Sequence, residues 1–319
     1  MKVTPVAAPA AVPTPVAGAD TDEETCLVSA TRLDDFITFV RERAIGGREQ
    51  DRGELAQTWR DAASHFRGLE ISEAGSCDKP QVLPLPGSMQ AHVDRLVKLP
   101  TFNNSFSTVP VAFGLVELDK LVVYQQTITQ SSVDALAAGL ARPPGDDDLV
   151  RLCLPLEAPT SGFRLARQDG EKFVFVTDSH DGRFLGAQLI DPARIDAFVV
   201  NGHPSSVLAL PFGFTTNVLN VVRYGSRMVL NNGYHRAAAL RRLGVTHAPC
   251  IIQVCAHWED VAVAGAGAIS RNADLYFSHP RPPMLRDFFD PLLARTFRTY
   301  RLRKEIRVTF EIDTLKLAI

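Results

Sequence analysis

The sequence predicts an α+β protein, and three observations lead there. Residues 27–70 carry helical periodicity, with Leu33, Phe36, Ile37 and Val40 on one face and charged residues opposite. From residue 109 onward, short runs rich in β-branched and aromatic residues alternate with turn signals. Within that β-rich part, one strand–turn–helix unit stands out at Asn231–Gly244.

In chain order, residues 1–25 read as a disordered Ala/Pro/Val arm ending in the acidic stretch Asp20–Glu24. Pro5, Pro9, Pro13 and Pro15 break any apolar helix of the length a secretion signal needs. The first helix is capped by Thr31 or Asp34 and ended by Gly46–Gly47. Glu54–Phe66 reads as a second helix, residues 71–90 as a connector and Met89–Leu99 as a short third helix. Val109–Tyr124 reads as a strand followed by a turn, and Gln130–Leu140 as a helix capped by Ser131 or Ser132. Arg142–Asp148, with two prolines, a glycine and three aspartates, reads as a loop.

From Leu149 to Leu189 the pattern is β, with strands at Phe173–Thr177 and Phe184–Ile190 joined by hairpin chemistry at Asp178–Gly182. Asn217–Val222 and Arg227–Leu230 read as strands around Tyr224–Ser226. The Ala/Leu/Arg-rich helix that follows stops at Gly244, and a strand covers Pro249–Val254. Toward the C-terminus a helix is expected around Leu285–Arg295 and a strand at Ile306–Ile312.

The 319 residues suffice for a sizeable core, and 34 Lys+Arg against 36 Asp+Glu give a net charge of −2. That balance excludes a polybasic protein bound to nucleic acid by bulk charge, though not a local basic face. Five scattered cysteines form no Cys-x-x-Cys pair, and Cys250 and Cys255 flank a strand, so buried thiols in a reducing cytoplasm are expected. No run approaches the ~18–20 apolar residues of a membrane span.

The chemistry concentrates at Asn231-Asn-Gly-Tyr-His-Arg236. Gly233 allows unusual backbone angles, and the helix starting there directs unpaired N–H groups and its positive dipole end into the turn. His235 and Arg236 add donors suited to phosphate. Two readings stand: an anion site, or a tight turn in which His235 packs and Arg236 pairs with a surface acid.

Gly-Tyr-His-Arg, then Ala237-Ala-Ala-Leu-Arg-Arg-Leu-Gly244 and a Pro-led strand, resembles the ParB/sulfiredoxin-like superfamily. Val116–Gln125 with the helix Ser132–Leu140 is similar to that family's opening strand, Gln-containing loop and first helix. The resemblance implies a ParB/sulfiredoxin-like core of mixed sheet and short helices over 101–256, with a β-rich insertion at 141–216. A helical extension at 26–100 would precede it and a C-terminal extension at 257–319 would follow. It implies that Asn232, Gly233, Tyr234, His235 and Arg236 hold a nucleoside triphosphate, ATP or CTP, with Mg²⁺. Asn231 would position the turn, Tyr234 would line the pocket, and Gln125 and Lys120 would add polar contacts. By analogy with the superfamily's free-serine kinases, Glu117 or Asp119 would serve as base, although either also reads as a surface acid.

Departures are equally visible. Position 234 is tyrosine where sulfiredoxin needs its cysteine, and residues 255–319 show no helix-turn-helix pair. The resemblance therefore implies an ATP- or CTP-dependent small-molecule kinase or nucleotidase, acting on a small-molecule or protein substrate. The alternatives are a DNA-associated nuclease or clamp using the basic run Arg295–Arg307, or a non-catalytic interaction module. That run also reads as a solvated face. Asp178-Ser-His-Asp181 and His203 read as turn residues, and no metal site is expected.

Overall fold

The computed structural model describes residues 20–157, 162–177, 179, 182–194, 202–214 and 217–315. The chain divides into two compact units: one takes the chain up to Leu156 together with Val218–Arg301, the other Glu157–Asn217 and the chain from Leu302 onward.

Strand β1 (Thr21–Leu27) corrects the expectation of disorder through residue 25. An acidic, threonine-bearing stretch becomes a strand because residues 294–300 and 127–129 pair with it on both sides, burying Thr25, Cys26 and Leu27. Helix α1 (Leu33–Arg43) buries Phe36, Ile37 and Val40 as its periodicity requires. In α2 (Arg52–Ser72), the Asp51 carboxylate accepts the Glu54 N–H at 3.0 Å, so the helix starts before Glu54. Next come β2 (Val82–Leu83), α3 (Gly87–Leu96) and an unanticipated α4 (Pro100–Phe106), which starts on a proline and buries Phe102 and Phe106 one turn apart. Strands β3 (Val111–Glu117) and β4 (Thr127–Thr129) and helix α5 (Gln130–Ala138) follow.

Helix α6 (Asp146–Cys153) corrects both the loop reading of 142–148 and the β reading from Leu149. Its three aspartates fill the first turn, where negative charge suits the helix dipole, while Val150 and Cys153 are buried. The expected insertion at 141–216 therefore starts too early: the separate unit begins at Glu157, since α6 packs in the first unit through the Leu219 N–H bond to the Cys153 carbonyl at 2.7 Å.

The second unit contains β5 (Arg164–Asp169), β6 (Lys172–Thr177), β7 (Gly182–Phe184), β8 (Gln188–Ile190), β9 (Val207–Ala209) and β10 (Phe212–Phe214). The hairpin expected between β6 and β7 is absent among the described residues. Instead β6 pairs with β5, around Gly170 at φ +55°, and β7 pairs with β10. Asp178, His180, Asp181 and Asn201 lie outside the described residues. Stacked phenylalanines give this unit its apolar centre, Phe175 and Phe212 with centroids 4.7 Å apart and Phe163 and Phe214 5.5 Å apart.

The first unit resumes with the hairpin β11 (Asn220–Tyr224) and β12 (Arg227–Asn232), then α7 (Tyr234–Arg242), β13 (His247–Cys255), α8 (Trp258–Ala264) and α9 (Gly267–Arg271). The helix expected over 285–295 is only a 3₁₀ turn at Leu285–Phe289, stopped ahead of Pro291, and the chain then extends as β14 (Ala294–Tyr300). Strand β15 (Lys304–Thr309) belongs to the second unit and joins β6, so the expected C-terminal extension is shared between units.

The main sheet has the order β12-β11-β13-β3-β2, with β11 and β13 parallel and the other neighbours antiparallel. A second sheet runs β14-β1-β4. One face of the main sheet is covered by a core that includes Leu96, Phe102, Val133, Val150 and Leu240; the other meets Val261, Tyr276 and Met284. Arg281, only 1% exposed, bonds Asp287 at 2.5 and 2.7 Å and Glu73 at 3.0 and 3.1 Å, and lies 5.0 Å over the Phe66 ring. That network ties the 280–290 segment to α2.

Candidate anion-binding turn

The junction between β12 and α7 is built around Gly233, the residue preceding the helix, at φ +97° and ψ +25°. A Cβ there would come within 2.7 Å of Leu219 Cδ1 and 3.0 Å of Leu219 Cα, so both the left-handed backbone and the close approach of the chain to Leu219 require glycine. The Asn232 Oδ1 accepts the Gly233 N–H at 2.8 Å, and the Ala237 N–H closes the first turn on the Gly233 carbonyl at 2.9 Å. The N–H groups of Tyr234, His235 and Arg236 have no acceptor inside the helix, and the positive end of the dipole lies there. Arg236 is half-buried on this turn. Its charge acts on Cys153, whose thiol burial pushes up to about 12 while Arg236 draws it down.

Two residues expected to contact a ligand fasten the turn. The Tyr234 hydroxyl donates to the Leu230 carbonyl at 2.7 Å and accepts the N–H groups of Tyr124 at 3.1 Å and Gln125 at 3.4 Å. Its ring stands edge-on to Tyr124 at 5.6 Å, and burial pushes its phenol well above the ordinary range. With 4% exposure Tyr234 lines no ligand pocket, which corrects the sequence expectation. His235 Nε2 accepts the Thr129 N–H at 3.1 Å, which leaves the ring proton on Nδ1. Gln125 Nε2 donates to the Thr127 carbonyl at 2.5 Å. Asn231 does position the turn, its amide donating to the Ala264 carbonyl at 3.3 Å and accepting the Ala266 N–H at 3.0 Å. Sequence reading missed this contact with 264–266, for which the Gly265-Ala-Gly267 spacing was the available signal.

The two candidate bases lie at the other end of α7. Glu117 accepts the Gln81 N–H at 2.9 Å, pairs with Lys120 at 3.2 Å and sits opposite His247 in the sheet register. Asp119 accepts from Arg241 Nε at 2.5 Å, and Arg241 lies 4.2 Å over the Phe289 ring. Arg241 is seven residues beyond Tyr234, ~10 Å along the helix axis. The reason is directional: Val122 bridges Val229 in parallel, so the chain passes Asp119 first and reaches the turn only at Tyr124–Gln125. Glu117, Asp119 and Lys120 therefore form surface ion pairs rather than facing the turn.

Among the described residues no group of three His, Cys, Asp or Glu is arranged to hold a metal ion, and no helix is long and apolar enough to cross a membrane. The basic run is divided: Arg295 and Arg298 lie on β14 in the first unit, Lys304 and Arg307 on β15 in the second. Arg298 stands opposite Glu23 and Arg307 pairs with Glu305. All five cysteines are free and buried, as the strand flanked by Cys250 and Cys255 led one to expect for those two. Comparison with protein-family models, with curated proteins and with solved structures gives no match.

Proposed function

We propose that the protein binds the phosphate groups of a nucleoside triphosphate, ATP or CTP, at the first turn of α7. The observation that carries this reading is the junction itself: a strand, a left-handed Gly233 and a helix whose first turn bears Arg236. Oriented N–H groups, the dipole and a guanidinium all favour an oxyanion there. Tyr234 and His235 hold the turn against residues 124–129 and leave the contact to the backbone and Arg236. A nucleoside triphosphate would bring Mg²⁺ coordinated by its own phosphates.

Binding is better supported than phosphoryl transfer, because Glu117 and Asp119 are committed to Lys120 and Arg241 at the far end of the helix. A DNA-associated role loses its main support, since the Arg295–Arg307 run is not one continuous strand face. The test is a thermal-shift titration of ATP and CTP, with and without Mg²⁺, on wild type and Arg236→Ala. Nucleotide should raise the melting temperature of the wild type and leave the variant unmoved. Equal shifts in both proteins would refute the reading.

A further inference from the structure

The opposite end of the β11–β12 hairpin carries a second cationic feature. There a cleft of about 370 Å³ is lined by Lys79, Arg223, Ser226, Met228, Val254 and Cys255, among others. Met228, Arg223 and Val254 stand side by side across three neighbouring strands, because Arg223 is in register with Met228 on β12 and with Val254 on β13. Alternation along β11 puts Arg223 on the same face as the core residue Val221. A guanidinium thus terminates an otherwise apolar face.

The opposite wall is the segment 79–82. It crosses from the hairpin turn, where the Lys79 N–H bonds the Ser226 carbonyl at 2.6 Å, to β2 at the outer edge of the sheet. Lys79 adopts φ +47°, the left-handed region that a side-chain-bearing residue rarely enters. Strain of this kind persists where surrounding contacts enforce it, and it is concentrated at binding sites. Here the enforcing contacts are Asp78 and Ser226: Asp78 Oδ1 accepts from Arg227 Nε at 2.7 Å and from Ser226 Oγ at 3.2 Å.

The charge balance is one-sided. Asp78 is spent on Arg227, Glu117 on Lys120 and the Gln81 N–H, and Asp260 on the N–H groups of Ala256 and His257. Burial alone would raise the Asp78 carboxyl, but the bond and charge of Arg227 outweigh it and hold it below its ordinary value. Lys79 and Arg223 have no ion-pair or side-chain hydrogen-bond partner among the described residues, and no carboxylate lines the cleft.

We propose that this cleft binds a small phosphomonoester, its dianionic head between Lys79 and Arg223 and its apolar body against Met228, Val254 and Val82. Two cations match a doubly charged head, and the guanidinium suits its planar pairs of oxygens. The volume is near the lower limit for ligand sites, ~300 Å³, which restricts the body to about the size of one ring. Arg223 is four residues from Leu219, which packs against Gly233, ~13 Å along the strand, so the cleft is independent of the nucleotide reading.

Phenyl phosphate is the probe, titrated calorimetrically into the full chain at low salt, with phenol as the uncharged control. Saturable one-to-one binding is expected for the wild type, weakened about tenfold in Lys79→Gln and in Arg223→Gln. Arg223→Lys, which keeps the charge, should recover part of the loss, and Arg236→Ala should bind as the wild type does. The proposal is overturned if the wild type shows no saturable binding, if phenol binds equally well, or if both glutamine variants keep full affinity. Loss in Arg236→Ala with retention in the glutamine variants would likewise overturn it, by moving the site to α7.

Discussion

Replacing Tyr234 by phenylalanine isolates the fastening that the structure assigns to its hydroxyl. The ring, and with it the edge-on contact to Tyr124 at 5.6 Å, is retained, so packing stays constant. What disappears is one oxygen shared by three backbone groups: the Leu230 carbonyl at 2.7 Å, the Tyr124 N–H at 3.1 Å and the Gln125 N–H at 3.4 Å. The first two are good bonds and the third is long. A buried polar group left without a partner costs ~1–3 kcal/mol, and the lost hydroxyl no longer has to be desolvated, so the loss should be about 2–4 kcal/mol. Against a total stability of ~5–15 kcal/mol this is a large fraction. Urea denaturation followed by tyrosine and tryptophan fluorescence measures it, as a lower midpoint with an unchanged slope for the first unit's transition. A destabilisation below ~0.5 kcal/mol, the range of an ordinary surface change, would mean that the hydroxyl does not bridge these groups and that Tyr234 is available to a ligand after all.

Other consequences can be checked in the same way. Gly233→Ala combines a left-handed backbone, ~1–2 kcal/mol, with overlap on Leu219 Cα, ~1–3 kcal/mol, and should lower the urea midpoint more than Gly244→Ala, whose Cβ would meet open space. Arg281→Ala leaves the buried Asp287 without its counter-ion and should cost ~3–5 kcal/mol by the same assay, and an equal loss in Arg281→Met, which keeps the side-chain volume but not the charge, would show that burial of an unpaired charge sets the cost. Burial raises Tyr234, and pushes Cys26 and Cys153 up to about 12 and Cys255 to about 11. These groups release protons in the unfolded chain first, so their contribution is complete below about pH 8.5 and is lost as pH rises toward their folded values. Melting temperature should therefore fall steadily from about pH 8.5 upward, and a flat profile to about pH 11 would contradict the burial. The same burial predicts that a thiol reagent at neutral pH modifies Cys26, Cys77, Cys153 and Cys250 only as fast as the protein opens, with all of them reacting at once in denaturant.

Features that depend on neighbours a few residues apart are readable along the chain. The buried stripe of α1, the close of α7 at Gly244 and the left-handed Gly233 before Tyr234 are written in 3.6-residue periodicity and in glycine's freedom at positive φ. Features that depend on a distant partner arise only once the strands have paired. Residues 21–25 form a strand because 294–300 lie beside them, and the aspartates at 146–148 begin a helix because Val150 and Cys153 find a core. The same dependence governed the site. Glu117 and Asp119 are near Gln125 in sequence, yet the connection from Leu118 to Gln126 runs along α7, so they sit at its far end, where Lys120 and Arg241 take their charge, while Gln125 meets the turn. Lys79 and Arg223 are far apart in sequence and share one cleft only because the 79–82 segment crosses the end of the sheet. Backbone geometry is set locally, but the partner that a charge or a hydroxyl meets is set by how strands pair, and no short stretch of residues encodes that.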